Sequence, residues 1–130
     1  MTEQNEKIYA GDVVVWEEEF GYCREVLTIT DGEVVVPGSL LDESGGDYVV
    51  ATTAAAIAAI ALEYASPEGE TADIVCLVRG PAIVSPDFLD TTSLTSDTST
   101  RLADTAAQLI TLGIKVTDPE LTYDTLADQA

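Results

Sequence analysis

The chain contains no histidine, two cysteines and five basic residues among its 130 positions. Without histidine there is no Ser-His-Asp triad and no Cys-His pair, and the commonest metal-ligating side chain is missing. Cys23 and Cys76 lie far apart in sequence and show neither CxxC nor zinc-ligand spacing. Two buried free thiols acting as small hydrophobes are a plainer reading than a disulfide. No Gly-rich phosphate loop occurs, since SGGD at residues 44–47 opens no helix pattern. The apolar run at residues 54–62 is well short of the ~18–20 residues that span a bilayer, and Glu63 closes it. The opening residues, MTEQNEKIYAGD, have no basic region and no apolar core, so no signal peptide is expected. These absences point to a soluble chain with no cofactor, no metal and no enzymatic activity.

What the chain has in excess is acid. Twenty-four Asp and Glu stand against Lys7, Arg24, Arg79, Arg101 and Lys115, for a net charge of −19. Such a surface repels phosphate backbones and anionic lipid, so neither nucleic acid nor membrane is an expected partner. It also strains the compact state by self-repulsion that salt screens, which suits a salt-rich environment. A pair of carboxylates is the minimum for glycoside hydrolysis, but here acids are spread everywhere and none is singled out by position. Glu17, Glu18 and Glu19, and the acids Asp42 and Asp47 of LDESGGD, are candidate cation binders. They lack the spaced ligands and closing Glu of an EF-hand, and a solvated acidic face is the plainer reading. The 46 % hydrophobic content supports a core, and the length suits one domain.

Along the chain, residues 1–12 are polar, lack periodicity and read as a flexible N-terminal arm. Residues 13–16 and 22–30 are β-rich runs. In the second, Cys23, Glu25, Leu27 and Ile29 alternate with Arg24, Val26, Thr28 and Thr30. Asp31-Gly32 signals a tight turn into Val34, Val35 and Val36, Pro37-Gly38 breaks the chain again, and SGGD separates SLLDE from YVVAT. Short strands with Gly and Asp turns describe a mainly β domain. Ser85-Pro86-Asp87 has the form of a capped helical turn reaching Phe88 and Leu89. Leu102, Ala106, Leu109 and Ile110 share one helical face, with Ser99 or Thr100 to cap its start and Gly113 to stop it. IKVT then has strand character, and Asp118-Pro119 is placed to cap a short terminal helix.

Residues 52–65 are ambiguous. Alanine is the best helix former, and Ile57, Ile60 and Tyr64 share a helical face, yet Ile60, Leu62 and Tyr64 also alternate as in a strand. DIVCLVRG downstream is plainly a strand, and SPEGET between them is a polar turn of hairpin length.

Taken in order, REVLTITDGEVVVPGSLLDESGGDYVV, AAIALEYASPEGETADIVCLVRGPAIV and TRLADTAAQLITLGIKV resemble the lambda-type head decoration proteins, the capsid cement proteins of tailed viruses. The matching elements lie at residues 26–32, 38–41, 46–50, 57–65, 72–80 and 103–114, and together the resemblance covers about residues 24 to 116. No single motif is specific; the order and spacing are. The run Leu62-Glu63-Tyr64-Ala65 is less acidic than the family pattern, and residues 13–20 do not align with it.

The resemblance implies a fold that is mainly β with one or two short helices (α+β). This is a compact β-barrel or tulip-like decoration domain over residues 13–130, with its helix near 100–112, behind the arm at 1–12. It implies that residues 57–65 form a strand paired with residues 73–79, with 52–56 as an irregular lead-in. It further implies a non-enzymatic virion protein on the outer surface of the mature head. Such a protein sits as a homotrimer at three-fold and quasi-three-fold sites, clamps the major capsid protein and stabilises the shell. In the family the arm orders on the capsid and adds to a coat-protein sheet, which here makes Ile8, Tyr9, Val13, Val14, Val15 and Trp16 the candidate capsid-binding residues. For residues 13–16 an ordinary core strand is the competing reading. Trp16, Phe20 and Tyr22 form an aromatic cluster suited to core or trimer packing, and Arg79 reads as a structural charge pairing locally or across a subunit boundary. An acidic, adhesin-like β-module of a salt-adapted cell is the alternative function.

Overall fold

The computed structural model describes residues 13–17, 20–95 and 99–116. Among them the chain runs through β1 (Val14–Glu17), one helical turn α1 (Phe20–Cys23), β2 (Arg24–Ile29), β3 (Leu40–Ser44) and β4 (Asp47–Val50). A 3-10 turn (Ala54–Ala56), β5 (Ala59–Ala61), β6 (Ala72–Leu77), β7 (Ala82–Val84), a second 3-10 turn (Pro86–Phe88), α2 (Arg101–Ile110) and β8 (Ile114–Val116) follow. The expected arm at 1–12, with Ile8 and Tyr9, and the terminal helix expected after Asp118-Pro119 lie outside the described residues.

Strands β2, β4, β3, β5 and β6 close into a barrel, and β1, β7 and β8 form a separate three-stranded sheet. The mainly β fold with one helix is therefore present, and closure of the barrel removes its exposed edges. Its longest ladder pairs β2 with β6 antiparallel from Arg24↔Leu77 to Ile29↔Ala72. The SGGD turn is made by Gly45 and Gly46 at φ +66° and +98°. Two consecutive positive φ values twist a two-residue hairpin in the sense its strands require, and β3 and β4 pair from Ser44↔Asp47 to Leu41↔Val50.

The alanine-rich stretch resolves as a strand. β5 pairs with β6 through Ile60↔Leu77 and Ala61↔Cys76, and with β3 through Leu40↔Ile60 and Leu41↔Ala59. Ala59 and Ala61 face the barrel interior beside Leu27, Ile29, Leu41, Ile74 and Cys76. Ile60 points the other way, into a second core with Val13, Leu77, Val84, Leu109 and Ile114. A strand buried on both faces needs small side chains on the crowded one, which explains the alanines without invoking a helix. Helical preference survives only in the 3-10 turn, where Ile57 N–H donates to the Ala54 carbonyl at 3.1 Å. The regular strand is shorter than residues 57–65, and beyond it Ala65 makes an isolated bridge to Val35. Among the described residues that bridge is also the one β contact of the Val34-Val35-Val36 run. The SPEGET turn docks on the Asp31-Gly32 turn, with Gly69 N–H donating to Asp31 Oδ1 at 2.7 Å and Gly32 N–H to the Pro67 carbonyl at 3.0 Å.

Ser85 caps the second 3-10 turn by accepting from Asp87 N–H at 3.3 Å, as its sequence suggests. The face of α2 differs from expectation. Thr105 and Leu109 are its buried residues, whereas Leu102 and Ile110 are 42 % and 58 % exposed. The sequence shows a broad apolar arc, but the core covers only one margin of it.

Candidate functional site

β1 is the element on which the candidate binding residues fall. It pairs antiparallel with β7 through Val14↔Val84, Trp16↔Ile83 and Glu17↔Ala82, with a register shift between Val14 and Trp16. The shift interrupts strict alternation. Val13 and Val14 are buried in the core, while Val15 and Trp16 are both about half exposed. Val13 is further held by its carbonyl, which accepts from Ser85 N–H at 2.8 Å. Of the six candidates, then, two anchor the strand, two face outward, and Ile8 and Tyr9 lie outside the described residues. Val13 and Val14 pack inward and the strand from Val14 pairs with β7, while Val15 and Trp16 are presented to the outside. Because β1 ends its sheet, its second edge is unpaired among the described residues and is a template for an added strand.

Two arginines brace this region. Arg24 Nε lies 2.9 and 3.1 Å from the two oxygens of Glu17, and its Nη2 is 2.5 Å from Oε1. This forked, largely buried pair fixes the end of β1 to the first residue of β2, and its planar geometry is one that arginine alone supplies. Arg79 donates to the Tyr22 carbonyl at 2.5 Å and to the Glu25 carboxylate, and its guanidinium sits 5.1 Å from the Tyr22 ring centroid. The bond to Glu25 holds the Arg79 pKa above its ordinary value. Arg79 thus pairs locally, one of the two readings left open by the sequence.

Trp16 and Tyr22 do not enter the core. Trp16 is half exposed and Tyr22 is 56 % exposed; the Phe20 side chain lies outside the described residues. Both belong to the outer surface near β1. Sequence periodicity misses this because the register shift and the α1 turn rotate them outward.

The site offers little chemistry beyond contact. Cys76 is fully buried and its thiol pKa is pushed up to about 12, first by burial and then by the nearby Glu63 carboxylate. Cys23 is buried too, with Sγ 3.7 Å from the Pro81 carbonyl oxygen. Neither thiol forms a disulfide. Among the described residues no cluster of three or more Asp, Glu or Cys could hold a metal ion, and no helix is long and apolar enough to cross a membrane. Asp42 and Asp47 belong to the β3–β4 hairpin.

Further exposed apolar side chains that a core-centred reading misses are Val26, Val34, Leu102 and Ile110. For the last two the signal was present: Leu102, Ala106, Leu109 and Ile110 on one arc of α2 exceed what a single flank can bury.

No curated protein matches the chain. A family model described as bacteriophage lambda head decoration protein D matches residues 3–114 of the 130, a span that includes β1, the barrel and α2. Proteins of such a structural decoration family are typically non-enzymatic. The chain belongs to the bacteriophage lambda head decoration protein D family, and its place is the outer surface of a phage capsid.

Proposed function

We propose that this protein is a capsid cement: a non-enzymatic homotrimer at three-fold and quasi-three-fold positions of the mature head that binds the major capsid protein and stabilises the shell. The observation that carries the binding mode is β1, an end strand that is locked from behind by Val13, Val14 and the Glu17–Arg24 pair and presents Val15 and Trp16 outward. Residues 1–12 lead directly into that strand. The arm, with Ile8 and Tyr9, adds to a coat-protein sheet, and Val15 and Trp16 extend the contact from the folded domain. Strand addition gains affinity from backbone hydrogen bonds and selectivity from alternate side chains, so it needs no charge complementarity from a chain this acidic. The environment is salt-rich, where self-repulsion and repulsion from an acidic shell are screened.

Co-sedimentation with expanded, undecorated heads tests this. Deleting residues 1–12 is expected to abolish binding while the melting curve stays that of the full chain, and Trp16→Ala to weaken binding. Full binding by the truncated chain would contradict the strand-addition mode.

A further inference from the structure

We infer that residues 117–130 pack as a short helix on the outward face of α2 of their own chain. At the helical step of about 100° per residue, Leu102, Ala103, Ala106, Ala107 and Ile110 fall within an arc of about 140°. Leu102, Ala103, Ala107 and Ile110 are exposed and Ala106 is half-buried. No charged residue falls on this arc. Asp104, the acid of α2, lies on the side turned to the 3-10 turn, in a groove with Thr53, Ala54 and Ala55. The alanines between Leu102 and Ile110 let a second helix approach closely. An uncharged face is also where an acidic segment meets the least repulsion.

Pattern, tether and length select the occupant. Residues 117–130 follow β8, lie outside the described residues, and lie beyond residues 3–114, the span that the decoration family matches. Asp118-Pro119 has the form of a cap with Pro at the first helical position. Tyr123, Leu126, Ala127 and Ala130 then fall at i, i+3, i+4 and i+7, one apolar face. Glu120, Asp124 and Asp128 fall at i, i+4 and i+8, a separate flank left for solvent. A helix of about a dozen residues is marginal alone, so this one needs an apolar surface to form on. The tether supplies it. β8 packs against α2, and the turn between them is closed by the Leu112 and Gly113 N–H groups, which donate to the Leu109 and Ile110 carbonyls at 2.9 and 3.0 Å. Val116 therefore releases the segment beside α2. Thr117 and Asp118 reach about 7 Å when extended, near the roughly 8–10 Å that separates packed helix axes. Residues 119–130 as a helix span about 18 Å, against about 15 Å for α2. β1 is separated from β8 by β7, so the packed segment leaves the proposed capsid contact open.

Benzoylphenylalanine placed at Tyr123 of the full-length protein, irradiated without heads, reads the contact directly. The same probe at Leu126 gives a second position. Both probes lie outside the described fold, and the thermal melt of each variant checks that the domain is intact. With no heads present, the outcome is independent of the capsid role proposed above. The expected result is single-chain adducts that link residues 117–130 to residues 101–110, at a yield that does not change with protein concentration. Leu102→Glu or Ile110→Glu is expected to cut that yield severalfold. Val26→Glu, at an exposed apolar position on the barrel, is expected to leave it unchanged. Adducts that join two chains, adducts elsewhere in the same chain, or none from either probe overturn the inference, as does a yield that neither α2 glutamate lowers.

Discussion

A Cβ added to Gly80 would lie 1.7 Å from the carbonyl oxygen of Gly113. Gly80 links β6 to β7, Gly113 links α2 to β8, and the two backbones meet where Gly80 N–H donates to the Leu112 carbonyl at 2.9 Å. This contact joins the barrel to the helix and the outer sheet. Gly80→Ala forces main chain against main chain and is expected to cost roughly 2–4 kcal/mol. Gly113→Ala strains a residue at φ +85°, at an expected cost of about 1–2 kcal/mol. Urea unfolding of both variants checks the order; equal midpoints for wild type and Gly80→Ala would show that the junction opens without cost.

Thr105 on α2 is fully buried, and its hydroxyl has no hydrogen-bond partner among the described residues. Thr105→Val keeps the shape and removes the unsatisfied group, so it is expected to stabilise by about 1 kcal/mol. Thr105→Ala leaves a void and is expected to fall below Thr105→Val in melting temperature. A Val variant less stable than wild type would reveal a water-mediated partner.

Cys76 makes stability depend on alkaline pH. Its thiol pKa rises from 9.0 to about 12 on folding, so the folded state favours the neutral form. That contribution is fully present below pH 9 and is lost as pH climbs from 9 towards 12, amounting to about 4 kcal/mol. Tyr48, raised mainly by burial and then by Glu43 and Glu25, acts in the same direction. Denaturation midpoints at pH 8 and pH 11 are expected to diverge less in Cys76→Ala than in wild type. Parallel pH curves for the two proteins would place the alkaline loss elsewhere.

Much of the barrel is legible in sequence because local chemistry and the fold agree. Asp31-Gly32, the Gly45-Gly46 turn and the capped Ser85-Pro86-Asp87 stretch each behave as their residues dictate. The alanine strand is legible only in context: Ala59 and Ala61 carry helix propensity, and tertiary pairing with Leu41 and Cys76 overrides it. The exposed surfaces are the least legible. Leu102 and Ile110 satisfy the same periodicity whether they face a core or a neighbour, and Trp16 turns outward because of a register shift that no spacing announces.

The net charge of −19 leads to a salt prediction. Screening contracts from about 10 Å at 0.1 M to about 3 Å at 1 M salt, so the melting temperature is expected to rise across that range. A flat or falling curve would mean that the ion pairs Glu17–Arg24 and Glu25–Arg79, which salt weakens, outweigh the excess acid.

If the folded domain reinforces a phage head as proposed, the temperature at which filled particles release their DNA reports it, with the protein absent, present and added back. Decorated particles are expected to release DNA at higher temperature than undecorated ones, and purified protein to restore the difference. Identical release temperatures in all three samples, with the protein bound, would contradict the stabilising role.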